Sequence, residues 1–398
     1  MKQSLYYYLE PYVYFSVAKN GVLLVNLLDD QLLFFNDLDS IKIVRGIISS
    51  NLRVVEINYD DLKTPLIRST IKSFMGDIIE SDSIPLQFDS EINNISGIEA
   101  YRKSIKFTRY GIGSLISDCY IITDLKNTSS HRLIQLLSGI EIPQESQHSS
   151  VVITEIGLKE IITKISASSP YVRFFISELK QEVFKHLLEN SHNSENIIPV
   201  YSFETLQEDT GLCRVLVDNN LRSKIIIHTS NSLEDLRINK GITTIMLGIQ
   251  SVEDVKKYNS LIENGYFVEA HPVLTNNNIP FIKSLFSWSL DDFKRLGGKY
   301  QTIKQNNLVN SNNWGRIFVN PNGEISYSPL ELSRGMHSLD NLFESFQRIL
   351  LKGNFAWTRI RDYSQCKNCC FQRLCPSPSL IEDYLRSNYK WECNCGKD

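Results

Sequence analysis

Short apolar stretches alternate with amphipathic helical segments through the middle of the chain, and this alternation restricts the possible folds. The predicted helices between the strands include residues 157–166, 178–189 and 252–264. Strands separated by helices of this length are typical of parallel βα units. The sequence therefore predicts an α/β protein built on an open or partial βα barrel. The predicted strands are residues 120–123, 172–176, 197–201, 224–228, 243–249 and 266–273.

The clearest βα unit covers residues 245–278. Its strand is a continuous apolar run, and its helix is predicted to begin at a Ser251 cap with acidic Glu253 and Asp254 in the first turn. Gly265 is predicted to end the helix. A second strand follows, and we expect the connection to be right-handed.

The first ninety residues predict a small α+β domain. Residues 12–35 hold three apolar runs, and the first two are separated by Asn20-Gly21. Both residues tolerate the positive φ of a tight turn, so the pair is a strong hairpin signal. We expect a three-stranded antiparallel meander. Helical periodicity then predicts helices at residues 38–48 and 64–79.

Polar segments divide the chain into three predicted domains. The boundaries follow from residues 90–99 and 305–313, which are rich in Asn and Ser. A turn signal at Asn322-Gly323, between residues 316–319 and 325–327, predicts a β-hairpin that opens the last domain. The predicted domains are residues 1–90, residues 91–305 (the barrel) and residues 306–398 (a Cys-rich module).

Six of the eight cysteines lie within residues 357–395, beginning with a C-x2-C-x5-C pattern. A tight C-x2-C turn directs two sulfurs the same way, and later cysteines complete a tetrahedron. Clustering without an export signal favours a metal over disulfides. Spacing does not separate zinc from an iron–sulfur cluster, since both accept four thiolates. The candidate ligands are Cys366, Cys369, Cys375, Cys393 and Cys395, with the choice between the last two open.

Composition excludes several classes of partner. The chain has 42 Lys and Arg against 45 Asp and Glu, a net charge of −3, so it has no basic field for nucleic acid and no polybasic membrane arm. No apolar run approaches the ~18 residues that cross a bilayer. The N-terminal sequence, with Glu10 and Pro11, lacks the features of a signal peptide. We expect a cytoplasmic protein that binds neither nucleic acid nor membranes.

The residues around the C-terminal cysteines resemble a known family. Trp314 with FVNPNGEISYSP (318–329), and WTRIRDYSQCKNCCFQRLCPSPS (357–379), follow a predicted partial barrel. This combination resembles radical SAM proteins with a C-terminal SPASM domain, in particular the pseudo-radical-SAM proteins of Bacteroidales-type cassettes that modify ribosomally made peptides. The small sheet followed by helices at the N-terminus resembles PqqD-like domains. That resemblance implies that the leader of a precursor peptide adds as an extra strand beside the sheet.

The chain departs from this family at the residues that its chemistry needs. The family holds its catalytic cluster with C-x3-C-x2-C after the first barrel strand, whereas residues 90–170 contain one cysteine, Cys119. One thiolate cannot hold a 4Fe-4S cluster. The glycine-rich segment expected after the second strand is replaced by residues 176–179, ISEL. We therefore expect no binding or cleavage of S-adenosylmethionine.

The tail departs selectively from the family pattern. Ser379 stands where a further cysteine is expected, and the upstream hairpin has none. The resemblance implies that one of two auxiliary 4Fe-4S clusters is retained, with zinc as the alternative metal. Four thiolate ligands would leave no open position, which favours a structural or electron-relay role. The implied ligands are Cys366, Cys369 and Cys375 with one of Cys393 and Cys395.

Two other groups of residues are predicted to be structural. His228 and His271 lie on predicted barrel strands, and we expect hydrogen-bonded histidines in the core or at its mouth. Arg359 and Arg361 precede the cysteines, and we expect them to form ion pairs within the tail rather than to receive an acidic peptide.

The sequence as a whole predicts a noncatalytic accessory protein. It would bind a precursor peptide, an active radical SAM maturase, or both, during maturation of a ribosomally synthesised and post-translationally modified peptide. Two alternatives stay open: a peptide-modifying enzyme that uses one retained iron–sulfur cluster, and a purely structural partner subunit.

Overall fold

The fold is taken from a computed structural model of the whole chain. No helix in the described part of the chain is long and apolar enough to cross a membrane. The described residues are 3–50, 53–85, 116–142, 151–190, 194–231, 233, 238–297, 299, 302–303, 306, 310–332, 337–338, 356–357 and 359–392.

Two three-stranded antiparallel sheets form the N-terminal part, with strand orders β5-β1-β6 and β2-β3-β4. The second sheet is the predicted meander, which is confirmed. Helix α1 (Leu38–Ser49) covers one face of this sheet, and the side chain of Asp37 caps its first turn. The strands are β1 (Ser4–Leu9), β2 (Val13–Ala18), β3 (Gly21–Asn26), β4 (Leu32–Phe35), β5 (Val54–Ile57) and β6 (Gly76–Ser81).

The helix predicted at residues 64–79 is wrong in its second half. Helix α2 (Pro65–Lys72) is followed by Phe74, whose φ of 57° turns the chain. The chain then enters β6, where Ile78 and Ile79 lie opposite residues of β1. Strand β1 was not predicted, and its pairing outweighs the local helical period of β6.

A nine-stranded sheet forms the centre of the protein, in the order β12-β11-β10-β9-β8-β7-β13-β14-β15. Strands β7 to β12 are parallel to their neighbours, so the predicted mixed α/β architecture with a mostly parallel sheet is confirmed. These strands are β7 (Asp118–Ile121), β8 (Arg173–Ser177), β9 (Ile197–Ser202), β10 (Ser223–Ile227), β11 (Thr243–Ile249) and β12 (Phe267–Pro272).

Helices cover the outer face of this sheet and bury its largest apolar cluster. The Ser251 cap is confirmed, because its hydroxyl accepts the N–H of Asp254, and Gly265 follows the helix with a φ of 81°. The helices after α2 are α3 (Thr128–Ser138), α4 (Glu155–Ser168), α5 (Gln181–Asn190), α6 (Phe203–Glu208), α7 (Thr210–Asp218), α8 (Val252–Glu263), α9 (Ile279–Leu285) and α10 (Leu290–Leu296).

The predicted C-terminal hairpin is confirmed as β13 (Arg316–Val319) and β14 (Glu324–Ser326), with β15 (His337–Ser338) beside it. Strand β13 pairs in parallel with β7, so the hairpin extends the barrel sheet and shares its core. The predicted domain boundaries at residues 90 and 305 fall on residues outside the described part, and they stay predictions.

The cysteine-bearing tail packs against the second face of the N-terminal meander. The ring of Phe371 stacks on Phe293 of α10 at 4.5 Å and lies 5.1 Å from the ring of Phe34 in β4. Asn20, at the β2–β3 turn, accepts the backbone N–H of Cys370 at 3.0 Å. Because α1 covers the other face, all six residues of β3 are buried.

We expect Phe371→Ala to loosen this interface. Phe371 is fully buried, so its loss should lower the free energy of unfolding by about 3–5 kcal/mol. Phe74→Ala is the control, since Phe74 is 80% exposed and should change it by less than about 0.5 kcal/mol. Urea denaturation followed by tryptophan fluorescence measures both. Equal effects of the two substitutions would contradict this packing.

Candidate functional site

Helix α3 lies inside the barrel, where the resemblance implies a cluster-binding loop. It follows β7 after a short turn, is capped by the side chain of Asn127, and ends at Gly139 with a φ of 71°. Its apolar face, which includes Leu133, Ile134 and Leu136, is buried against the interior side chains of the strands. These interior side chains are Tyr120, Ile122, Phe175, Ile198, Val200, Ile226, Met246 and Phe318.

The close approach of α3 leaves little room for a side chain at Gly248 on β11. A Cβ added at Gly248 would lie 3.1 Å from Cδ2 of Leu136. A cavity of about 110 Å³ lies at the carboxyl ends of the strands, beside Arg132, His228 and Asp254. Sites for small molecules commonly measure ~300–1,000 Å³. Within the described part of the chain, the side chains of α3 therefore occupy much of the space at this end of the sheet.

Cys119 points away from the barrel interior. Side chains alternate along a strand, and Cys119 lies in the outer cluster while its neighbour Tyr120 faces inward. The thiol is fully buried, and burial together with the charge of Asp118 raises its pKa. Cys119 is therefore a core residue of the helix-covered face.

Glu178, which directly follows β8, forms hydrogen bonds to the junction between β9 and α6. The residue has a φ of 49°, and its carboxylate accepts the N–H of Ser202 at 2.9 Å and the hydroxyl of Thr205 at 2.9 Å. Burial raises the pKa of Glu178, and these hydrogen bonds oppose that shift. At the position where the resemblance places a glycine-rich segment, the chain therefore has a structural carboxylate.

The larger cavity of the barrel lies at the opposite end, where the parallel strands begin. It measures about 660 Å³, and we call it the charged cleft. The stacked rings of Tyr120 and Phe175 line it, with centroids 4.7 Å apart, and the ring of Phe318 packs on that of Tyr120 at 5.4 Å. Its charged and titratable lining residues are Asp118, Arg173, Arg222, Lys224, Glu269, His271 and Arg316.

An ion pair between buried Lys224 and half-exposed Glu269 lies at the centre of the charged cleft. The ammonium of Lys224 donates to both carboxylate oxygens of Glu269, at 2.8 and 2.7 Å, and sits 4.5 Å from the centroid of the Phe175 ring. Burial lowers the pKa of Lys224, and Glu269 opposes that shift. Burial raises the pKa of Glu269, but His271 and Lys224 outweigh it and bring that pKa to about 2. Glu269 is therefore ionised at neutral pH.

The two histidines lie at opposite ends of the strands. His228 is at the mouth of the small cavity, which agrees with the predicted mouth position, and partial burial of its ring together with Arg132 lowers its pKa. His271 lies in the charged cleft, with Nε2 3.6 Å from Oε2 of Glu269. That nitrogen is buried and makes no hydrogen bond to a described residue, so the predicted hydrogen bond is not found at Nε2 of His271.

The charged cleft was not predicted from the sequence. Asp118, Arg173 and Arg316 are the first residues of their strands, and Lys224 is the second residue of β10. The sequence does contain a pattern that could have indicated the cleft, because several apolar runs begin with a charged residue. Because parallel strands begin at one edge of a sheet, such charges converge once the strand order is known.

Three predicted ligands of the tail lie in one neighbourhood. Cys366 and Cys375 are buried and Cys369 is partly buried. Burial raises the pKa of Cys369 and is the main cause of a pKa of about 12 for Cys375; nearby thiols act in the same direction and Arg361 opposes them. Among the described residues, however, no group of three or more His, Cys, Asp or Glu side chains is arranged to hold a metal ion. Cys393 and Cys395 lie outside the described residues, so the metal site stays a prediction.

The predicted ion pairs of the tail are confirmed. The guanidinium of buried Arg361 contacts both carboxylate oxygens of Glu382, at 2.9 and 3.0 Å, and Arg359 pairs with Asp383 at 2.5 Å. Both acids belong to α11 (Leu380–Tyr389). Ser379, which stands at an expected cysteine position, caps this helix by accepting the N–H of Glu382. The tail therefore has its own polar framework.

Comparisons with known proteins give one structural neighbour to report. No family model matches the chain, and no curated protein matches it. Among solved structures, the chain is similar to the crystal structure of Streptococcus suis SuiB bound to precursor peptide SuiA. That alignment covers 98% of this chain and 99% of the SuiB chain at 10% identity, with a TM-score of 0.39. Similarity at this level does not establish a shared function.

We expect Glu269→Gln to change how stability depends on pH. The folded-state pKa of about 2 lies below the ~4.3 of an unfolded glutamate, so its contribution is fully present above about pH 4.3. It is lost as the pH falls through about 2. The gap in urea midpoint between wild type and Glu269→Gln should therefore close between pH 6 and pH 2. Glu263→Gln, at an exposed position on α8, is the control and should show no such gap; a pH-independent gap for Glu269→Gln would contradict the ion pair.

Proposed function

We propose that the chain is a noncatalytic accessory protein for the maturation of a ribosomally synthesised and post-translationally modified peptide. It would bind a precursor peptide, an active radical SAM maturase, or both, in the cytoplasm. The observation that carries the proposal is the packing of α3 inside the barrel, which fills the end where a catalytic cluster would be held.

The distribution of thiols supports a noncatalytic role. A 4Fe-4S cluster needs a set of convergent thiolates, and residues 120–212 contain no cysteine. Cys119 faces the outer core rather than the interior. Glu178, after the second barrel strand, is engaged by Ser202 and Thr205. The Cys119 thiol is therefore directed away from the interior, and the Glu178 carboxylate already accepts two hydrogen bonds.

The free edge of β4 supports capture of an extended peptide by residues 1–90. The N–H of Asn26 donates to the carbonyl of Gln31. These two residues are therefore a hydrogen-bonded pair of the ladder between β3 and β4. Bonded and non-bonded pairs alternate in an antiparallel ladder, so Leu32 and Phe34 direct their N–H and C=O groups away from β3. Within the described residues β4 pairs only with β3. An added strand would satisfy these groups.

Substitution of Phe34 tests this capture. Phe34→Pro removes one outward N–H and spares the bonds to β3, whereas Phe34→Ala keeps the N–H and removes the same ring. Peptides about ten residues long, since strands commonly have 3–10 residues, would be selected from a displayed random library on the full chain, with counter-selection on Phe34→Pro. We expect selected peptides to bind Phe34→Ala within a few-fold of wild type and Phe34→Pro at least tenfold more weakly, by isothermal titration.

Two results would contradict capture at β4. One is the absence of any peptide that survives the counter-selection. The other is equal binding to both variants, which would place the peptide elsewhere. Circular dichroism of both variants shows whether the meander is retained.

We further propose that the tail holds one 4Fe-4S cluster through Cys366, Cys369, Cys375 and one of Cys393 and Cys395, with zinc as the alternative. The shared neighbourhood of the three described thiols supports it. About four irons and four sulfides per chain are expected after anaerobic purification. Cys375→Ser should lose them, whereas Cys213→Ser, on α7 of the barrel, should keep them. Zinc in place of iron would contradict the cluster.

A further inference from the structure

The charged cleft has more hydrogen-bond donors than acceptors. Asp118 accepts Nε and Nη2 of Arg173 through one oxygen, at 2.8 and 2.6 Å. Nε of Arg316 approaches its other oxygen only to 3.8 Å, which is longer than a hydrogen bond. Glu269 is fully engaged by Lys224. The acceptors of the cleft are therefore largely occupied by Arg173 and Lys224.

The remaining donors lie at the rim of the cleft. Arg222 is exposed and forms no ion pair with a described residue, and the terminal nitrogens of Arg316 have no partner among those residues. Each guanidinium presents donors in a planar fork that matches a carboxylate. Four cationic side chains against two carboxylates leave an excess of two positive charges. A negatively charged acceptor group would accept hydrogen bonds from these guanidinium groups and offset the excess positive charge.

The planar guanidinium groups of Arg222 and Arg316 match the two oxygens of a carboxylate. Asp118 and Glu269 already compensate two of the four cations, so a single acidic side chain would neutralise part of the remaining charge. The volume of about 660 Å³ accommodates an acidic side chain with its flanking backbone. The stacked rings of Tyr120 and Phe175 give the site an apolar surface.

We infer that the charged cleft is a carboxylate-binding site at the amino-terminal ends of the barrel strands, with Arg222 and Arg316 as its recognition residues. Resting on the proposed function, we assign the carboxylate to an acidic residue of the bound peptide. The peptide would then contact the protein at two separate places, the edge of β4 through its main chain and the cleft through an acidic side chain.

Binding of short blocked peptides to the full chain tests the inference. The probes are acetyl-Gly-Glu-Glu-Gly-amide, its Gln-Gln counterpart, glutarate and inorganic phosphate, each titrated by NMR or calorimetry. We expect the acidic peptide to bind at least tenfold more tightly than the amide peptide. The double variant Arg222→Gln with Arg316→Gln should weaken it at least tenfold, and Arg222→Gln alone should weaken it by less. Arg214→Gln, at an exposed position on α7 outside the cleft, should have no effect.

The outcomes separate this inference from the proposed function. Equal binding of the acidic and amide peptides, or an unaffected double variant, would overturn the carboxylate site. Glutarate binding without peptide binding would retain the carboxylate site and overturn its peptide source, and preferential phosphate binding would overturn the choice of carboxylate. Phe34→Pro should leave binding of the short acidic peptide unchanged. Loss of capture at β4 with an intact cleft would instead overturn the proposed function alone.

Discussion

The packing of α3 against the interior face of the sheet determines what this barrel can do. Each fully buried Leu or Ile contributes roughly 1.5–3 kcal/mol relative to exposure, so the apolar face of one short helix is a substantial part of the interior core. Leu133 and Ile134 are almost completely buried there. Among the described residues, the cavity beside α3 at the carboxyl ends is small, and the larger charged cleft lies at the amino ends of the strands.

A second constraint joins the two ends of the chain. Strand β3 is covered on one face by α1 and on the other by the cysteine-bearing tail, so the meander is held as a middle layer. Asn20 links its turn to the backbone of Cys370 and approaches the sulfur of Cys369 at 3.6 Å. The neighbouring edge strand β4 belongs to the same supported layer. It is suited to pair with another strand, because a strand that is already ordered loses little conformational entropy on binding. The tail therefore has a structural role in the proposed peptide site whether or not it holds a metal.

Much of the architecture could be predicted from local patterns. Residues 243–249 form a continuous apolar run followed by the Ser251 cap, and both the strand and the helix were predicted at the observed places. The prediction failed where pairing between distant strands determines the secondary structure. Ile78 and Ile79 fit a helical period, but they lie in a strand that pairs with β1. Helix α3 was not among the helices predicted from the sequence, and no local pattern indicates which surface it covers. The charged cleft depends on strand order, which no local pattern contains, and Cys393 and Cys395 lie outside the described residues.

We propose that the barrel interior does not support chemistry on S-adenosylmethionine. The most direct measurement is the release of 5′-deoxyadenosine after anaerobic reconstitution with iron and sulfide, in the presence of S-adenosylmethionine, dithionite and a peptide selected on the protein. The account predicts no release above that of a protein-free control. Release of several equivalents per chain would contradict it and would show that a catalytic cluster forms despite the packing of α3.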